Sequence, residues 1–251
     1  MFRRIVWLGM AGMLVVGWAA LASAATTEEV LSKLTKQRGE VKSFEFDMKT
    51  TMKMQGGDAG EATMAGHMAS QVVEKDGKPA TLMNMKQKMT MGEMTHDMLM
   101  VNDGEFMWME MKDPMSGQTM VMKNKANAGP DKNNPQEFTD MYDLKLIGEE
   151  KFDGQTCWVL EGTPKAKAAA PARRGPMGQA EPETGKIRMY VGQADLFTHR
   201  YLLYDKAGNQ TAETVMSNVK VNPKLDEKLF KYTPPAGARV IDMTKGGMPM
   251  F

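Results

Sequence analysis

The chain has 251 residues, 32 basic and 31 acidic side chains, and a hydrophobic fraction of 42%. That composition suffices for a sizeable core, and a net charge of +1 gives no electrostatic footprint for nucleic acid. One cysteine and three histidines leave no material for a disulfide framework or a cysteine-rich metal centre, and the anomaly is methionine, at 28 residues.

Arg3 and Arg4 precede a charge-free apolar run from Ile5 to Ala22, and Ala22-Ser23-Ala24 has the small-x-small form of a signal-peptidase site. Residues 1–24 read as a secretory signal cleaved near Ala24. Residues 25–251 then read as one domain working outside the cytoplasm. Thr26 and Glu29 have the spacing of a capping box, and Val30, Leu31 and Leu34 repeat at helical spacing. This predicts a helix over 27–38, ended by Gly39.

From Val41 the period changes to two. Phe44, Phe46 and Met48 alternate with Ser43, Glu45, Asp47 and Lys49 up to the Gly56-Gly57-Asp58 turn. Further strands are expected at 62–75, 80–91, 96–101, 105–111 and 118–123. Lys75-Asp76-Gly77-Lys78 and Asn102-Asp103-Gly104 mark the hairpin turns. Residues 124–135 read as loop and 135–141 as a short helix. Asp153-Gly154 joins strands at 142–150 and 155–163.

Residues 164–185 hold Pro164, Pro171, Pro176 and Pro182 and the run Ala168-Ala169-Ala170, and read as a mobile low-complexity loop. Strands resume at 186–192, 197–204 and 210–221, and Asp226-Glu227 opens a late helical turn. The count is about eleven strands with a few helices and no βαβ rhythm. The fold class is therefore mainly antiparallel β, with the sheet curved around helices or a cavity.

Eighteen of the methionines fall between Met48 and Met122, in alternating sets such as Met83 and Met85, Met98 and Met100, and Met107, Met109 and Met111. Alternation puts each set on one face of its strand. Phe106 and Trp108 take the opposite face of the strand that carries the triple, and the sequence does not say which face lines a cavity. Three readings stand: an ordinary core, an apolar lining for flexible ligands, or a soft-metal site. The metal reading uses Met64, His67 and Met68, with Met94 and His96 a second neighbouring pair.

No nucleophile elbow, phosphate loop, dinucleotide fingerprint or zinc-protease motif is present, so neither an enzyme nor a cofactor is expected. Glu149-Glu150 and Asp226-Glu227 read as surface charges. His199 has no relay partner in the sequence and reads as structural. Cys157, beside Trp158, Val159 and Leu160, reads as a buried inert thiol.

The order of these segments resembles the LolA-like periplasmic lipoprotein carriers and outer-membrane lipoprotein-sorting proteins. The likeness runs from the first helix and Phe44-Glu45-Phe46 through the hairpin Asn102-Asp103-Gly104-Glu105-Phe106-Met107-Trp108. It continues in the hairpin Phe152-Asp153-Gly154-Gln155-Thr156-Cys157-Trp158 and in the ending Leu229-Phe230-Lys231-Tyr232-Thr233-Pro234-Pro235-Ala236-Gly237. The chain departs from the carriers in having no arginine between Arg38 and Arg173, where they place one that holds a helical lid.

The resemblance implies an incomplete, half-open β-barrel enclosing an apolar cavity covered by helices, in a periplasmic protein. It implies a monomeric carrier whose partners are a lipid or an acylated lipoprotein and envelope membrane proteins. The expected cavity residues are Phe44, Phe46, Met83, Met85, Met98, Met100, Phe106, Met107, Trp108, Met109 and Met111. The alternatives are an envelope stress-sensing or protein-interaction domain of the same fold, and a methionine-based Cu(I) protein.

Overall fold

The computed structural model describes residues 25–53, 60–75, 77–113, 116–126, 139, 141–165 and 184–245. The expected signal at 1–24, most of the expected helix at 135–141 and most of the loop at 164–185 lie outside the described residues.

Helix α1 (Thr27–Glu40) opens the domain. The Thr26 hydroxyl accepts from the Glu29 N–H and the Glu29 carboxylate accepts from the Thr26 N–H, so the predicted capping box is formed. Gly39 does not end the helix. It stays inside the last turn, and the chain leaves at Val41, whose N–H bonds back to the Gln37 and Arg38 carbonyls.

Eleven strands follow in nearly the expected places: β1 (Ser43–Lys53), β2 (Glu61–Lys75), β3 (Lys78–Met91), β4 (Met94–Asn102), β5 (Phe106–Lys112), β6 (Thr119–Lys125), β7 (Tyr142–Phe152), β8 (Gln155–Pro164), β9 (Thr184–Gly192), β10 (Thr198–Asp205) and β11 (Gln210–Val221). A twelfth, β12 (Arg239–Asp242), has no signal in the sequence. The order in the sheet is β12-β6-β5-β4-β3-β2-β1-β11-β10-β9-β8-β7. All pairings are antiparallel except β12 with β6. The two ends of the sheet are β12 and β7, so it does not close on itself, and the architecture is the half-open barrel that the sequence led us to expect.

The turn chemistry is local. Gly104 has φ +85°, a conformation that costs glycine little. One Asp103 carboxylate oxygen accepts from the Glu105 and Phe106 N–H groups (2.8 and 2.7 Å), and the other accepts from the Trp108 indole (2.8 Å).

The main core lies between α1 and the strands β7–β10. Val30 is wholly buried with Trp158, Leu160, Ile187, Met189 and Val191, and Leu31 and Leu34 pack at the margin of that cluster. Two hydrogen bonds fix the helix at its ends. The Thr27 hydroxyl accepts from the Leu146 N–H on β7 (2.9 Å), and the Gln37 amide donates to the Asp195 carbonyl in the turn before β10. A smaller core on the opposite face groups Cys157, Val159, Tyr190 and Leu202. Burial there pushes the Cys157 thiol up, away from the reactive thiolate, as the sequence suggested.

Val30→Ala should therefore destabilise the domain by about 2 kcal/mol, from two lost methyl groups and the space they leave. Leu34→Ala, at the margin, should cost less, and thermal or urea unfolding of the two variants would rank them. Burial raises the Asp103 carboxyl, but the three hydrogen bonds it accepts outweigh this and hold it below its ordinary value. Its stabilising contribution is thus present above the unfolded value of about 3.9 and is lost as pH falls through the folded value. Asp103→Asn should cost about 1–2 kcal/mol at neutral pH. It should also flatten the fall in stability below about pH 4, measured by urea unfolding across that range.

Candidate functional site: the methionine face

Pairing runs from β1 through β6 without a register shift. Residues opposite one another in such a ladder project from the same face. Phe46 is opposite Met68, Met68 opposite Met85, Met85 opposite Met100, Met100 opposite Met109, and Met109 opposite Met122. A second row runs from Met64 through Met89 to His96, and a third from Gln87 through Met98 and Met111 to Met120. Every methionine of β1–β6 stands on this one face. Most are half-buried; Met68 is buried and Met94, at the β3–β4 turn, is 56% exposed.

The same face carries the helix. β1 joins the two halves of the sheet: Met52 pairs with Ala212 on β11, which pairs with Leu203 on β10, which pairs with Ile187 on β9. Leu203 and Ile187 belong to the α1 core. Where the halves meet, Phe44, Phe46 and Phe197 form a cluster with ring centroids 5.4–6.1 Å apart. The methionine face is thus the outward continuation of the surface on which α1 lies.

Of the expected cavity residues, Phe44, Phe46, Met83, Met85, Met98, Met100, Met107, Met109 and Met111 share this face. Phe106 and Trp108 do not. Alternation along β5 sends them to the other side, where Trp108 packs against Tyr232 at 5.4 Å between centroids and Lys123 sits 3.7 Å over the Phe106 ring. The trio Met64, His67 and Met68 is split for the same reason. His67 projects from the opposite face and hydrogen-bonds Asp47 at 2.8 Å, so it shares no site with the two methionines. His199 also differs from its expected isolation. It is buried, and its Nε2 lies 2.8 Å from both the Asp195 carboxylate and the Gln155 amide, pinning the turn that receives α1.

The opposite face is polar and strapped. Between β11 and β12 the chain passes through a short 3₁₀ turn at Glu227–Phe230 and crosses this side. The Asn84 amide donates to the Leu229 carbonyl (2.6 Å), and the Tyr232 hydroxyl donates to Glu110 (2.6 Å). Val101 and Val121 on this side of the sheet and Phe230 in the turn are all buried. Beside it lies a shallow concavity of about 530 Å³, bordered by His67, Lys86, Lys88, Asp97, Glu110 and Lys112. The sides differ chemically: the thioethers of β1–β6 all lie on one, and the lysines, aspartates and glutamates of these strands, Glu74 apart, lie on the other, beside the aromatic rings around the strap. Among the described residues of β1–β6 on this face His96 is the one ionisable side chain within the methionine stretch, with Glu74 and Arg239 at its rim. Among the described residues no group of three or more His, Cys, Asp or Glu is placed to hold a metal ion.

This arrangement, a half-open antiparallel sheet with a helix on its inner side, defines the class as LolA-like in fold. The chain belongs to DUF6612, a family of unknown function, whose model matches residues 26–151, the stretch that holds α1 and the methionine-bearing strands. An uncharacterized conserved protein from Thermus thermophilus has a similar solved structure. It is 12% identical with a TM-score of 0.50, over 86% of this chain and 98% of that one. The LolA superfamily protein NE2245 from Nitrosomonas europaea is 17% identical with a TM-score of 0.31, over 83% of this chain and 99% of that one. The uncharacterized protein MJ0687 of Methanocaldococcus jannaschii is 27% identical over 155 residues, which are 61% of this chain. The match spans only 39% of the length of that relative.

The Tyr232–Glu110 bond makes the strap testable. Burial, reinforced by the Glu110 carboxylate, raises the Tyr232 phenol above its ordinary value. Tyr232→Phe should cost about 1–2 kcal/mol in urea unfolding, the contribution of a hydrogen bond to a charged partner.

Proposed function

We propose that this protein is a non-catalytic periplasmic carrier that takes the acyl chains of a lipid or lipoprotein against its methionine face. The observation that carries the reading is the collection of every β1–β6 methionine on one half-buried face, continuous with the surface under α1. Thioether side chains are unbranched and polarizable, so such a wall can repack around chains of differing length and saturation. Covering it with hydrocarbon would contribute about 0.8 kcal/mol per buried CH₂. The strap on the polar side would leave that surface clear for a ligand. The secretory pattern of residues 1–24 supports a location outside the cytoplasm.

Two experiments test this. Protein purified without detergent should carry lipid visible by native mass spectrometry, and delipidated protein should take up a fluorescent fatty acid saturably. Met109→Glu lies in the middle of the face on β5. It should leave the far-UV spectrum and cooperative unfolding intact while weakening uptake at least tenfold. Thr95→Glu, on the exposed polar side, should leave uptake unchanged. Saturable uptake that Met109→Glu does not weaken would place the ligand elsewhere, and no uptake at all would end the carrier reading.

A further inference from the structure

His96 is chemically out of place on the methionine face. The other histidines are each held by a carboxylate, His67 by Asp47 and His199 by Asp195, both at 2.8 Å. His96 is half-buried, and among the described residues its imidazole has no hydrogen bond or ion pair. Its neighbours are sulfur. Met89 of β3 is directly opposite, and Met94 and Met98 stand two residues away on β4, on the same face. Met91 pairs with Met94 across the hairpin, and Met64 of β2 backs Met89.

Directly opposed residues have Cβ atoms about 4.5–5.5 Å apart, and same-face neighbours along a strand stand about 6.6 Å apart. Each methionine has three rotatable bonds beyond its backbone. One thioether from across the ladder and one from either side can therefore converge on the imidazole. Asp97 projects from the opposite face, and the carboxylate of Asp113, two residues beyond Met111 and just past the end of β5, already accepts from the Ser116 N–H at 2.7 Å. The donor set is neutral and soft, one imidazole nitrogen with two or three thioethers. That composition suits Cu(I) and offers nothing to calcium or magnesium. The cluster lies at the β3–β4 turn, where Met94 is exposed and an ion can reach it from solvent.

We infer that His96, Met89, Met94 and Met98 form a binding site for Cu(I). The site occupies one end of the face and does not depend on the acyl-chain reading. It replaces the Met64, His67 and Met68 combination, which the strand alternation separates.

The test is anaerobic titration of the purified full chain with Cu(I), in competition with a chromogenic Cu(I) chelator. One equivalent should bind with a sub-micromolar Kd. His96→Ala and Met89→Leu should each weaken it at least tenfold, with unchanged far-UV spectra and melting temperatures. Met107→Leu, on the same face at the far end of β5, should leave the affinity as it is. Failure of the wild-type protein to compete for Cu(I), or His96→Ala binding as tightly as wild type, would overturn the site. An equal loss in Met107→Leu would overturn it too, because it would mean diffuse binding to the methionine surface. Silver(I), a redox-inert soft ion, should shift the methyl NMR resonances of Met89, Met94 and Met98. A shift confined to other methionines would overturn the assignment independently of affinity.

Discussion

The structure depends on strand register. From β1 to β6 the pairing proceeds without a bulge, so side chains in each row leave the sheet on the same side. A slip of one residue in any of these ladders would send that strand's whole methionine set to the charged side and its lysines and aspartates to the apolar side. The same slip would move Phe46, Met68, Val101 and Val121, which are buried in this register, to the wrong side of the sheet, so the packing of these residues holds the register. The irregularities fall on the other half of the sheet, in β1–β11, β9–β10, β10–β11 and β7–β8, where packing against α1 supplies the constraint instead.

The two faces are stabilised by different means. Over β7–β10 the inner face is covered by α1, pinned by Thr27 at one end and Gln37 at the other and filled by Val30. Over β3–β6 it is the outer face that is covered, by the segment that brings β12 to the free edge of β6. The coverings are diagonal to each other. The inner face of β2–β6 is left with its methionines half-buried, and the phenylalanine cluster at Phe44, Phe46 and Phe197 marks where the covered and uncovered parts meet. A wall of leucine or phenylalanine at the same exposure would present stiffer apolar surface. Methionine suits a surface whose contacts must change, because its flexible thioether loses less from imperfect packing.

Much of this was legible in the sequence. The Thr26–Glu29 box, the switch from period 3.6 to period two at Val41, and the Asp-Gly turns each act through neighbouring residues, so local pattern fixes them. The alternation of Met107, Met109 and Met111 against Phe106 and Trp108 likewise required opposite faces for the two sets. β12 was not legible: Arg239–Asp242 is four residues long, and it is a strand only because the strap delivers it beside β6. The partner of His199 was missed because Asp195, four residues away, reaches it only through the turn between β9 and β10.

Sequence by itself determined which residues of each strand travel together, since that follows from the two-residue repeat of an extended backbone. It determined the helix, its cap and its apolar stripe for the same local reason. Only the tertiary structure decided how the separate strand faces add up. Strand order and register joined the methionine sets of six strands into one surface and put Phe106 and Trp108 on the side that the strap crosses. The same register parted His67 from Met64 and Met68 and set His96 among Met89, Met94 and Met98. These juxtapositions come from pairing between residues distant in the chain, and the spacing within any one strand carries no record of which neighbour it will meet.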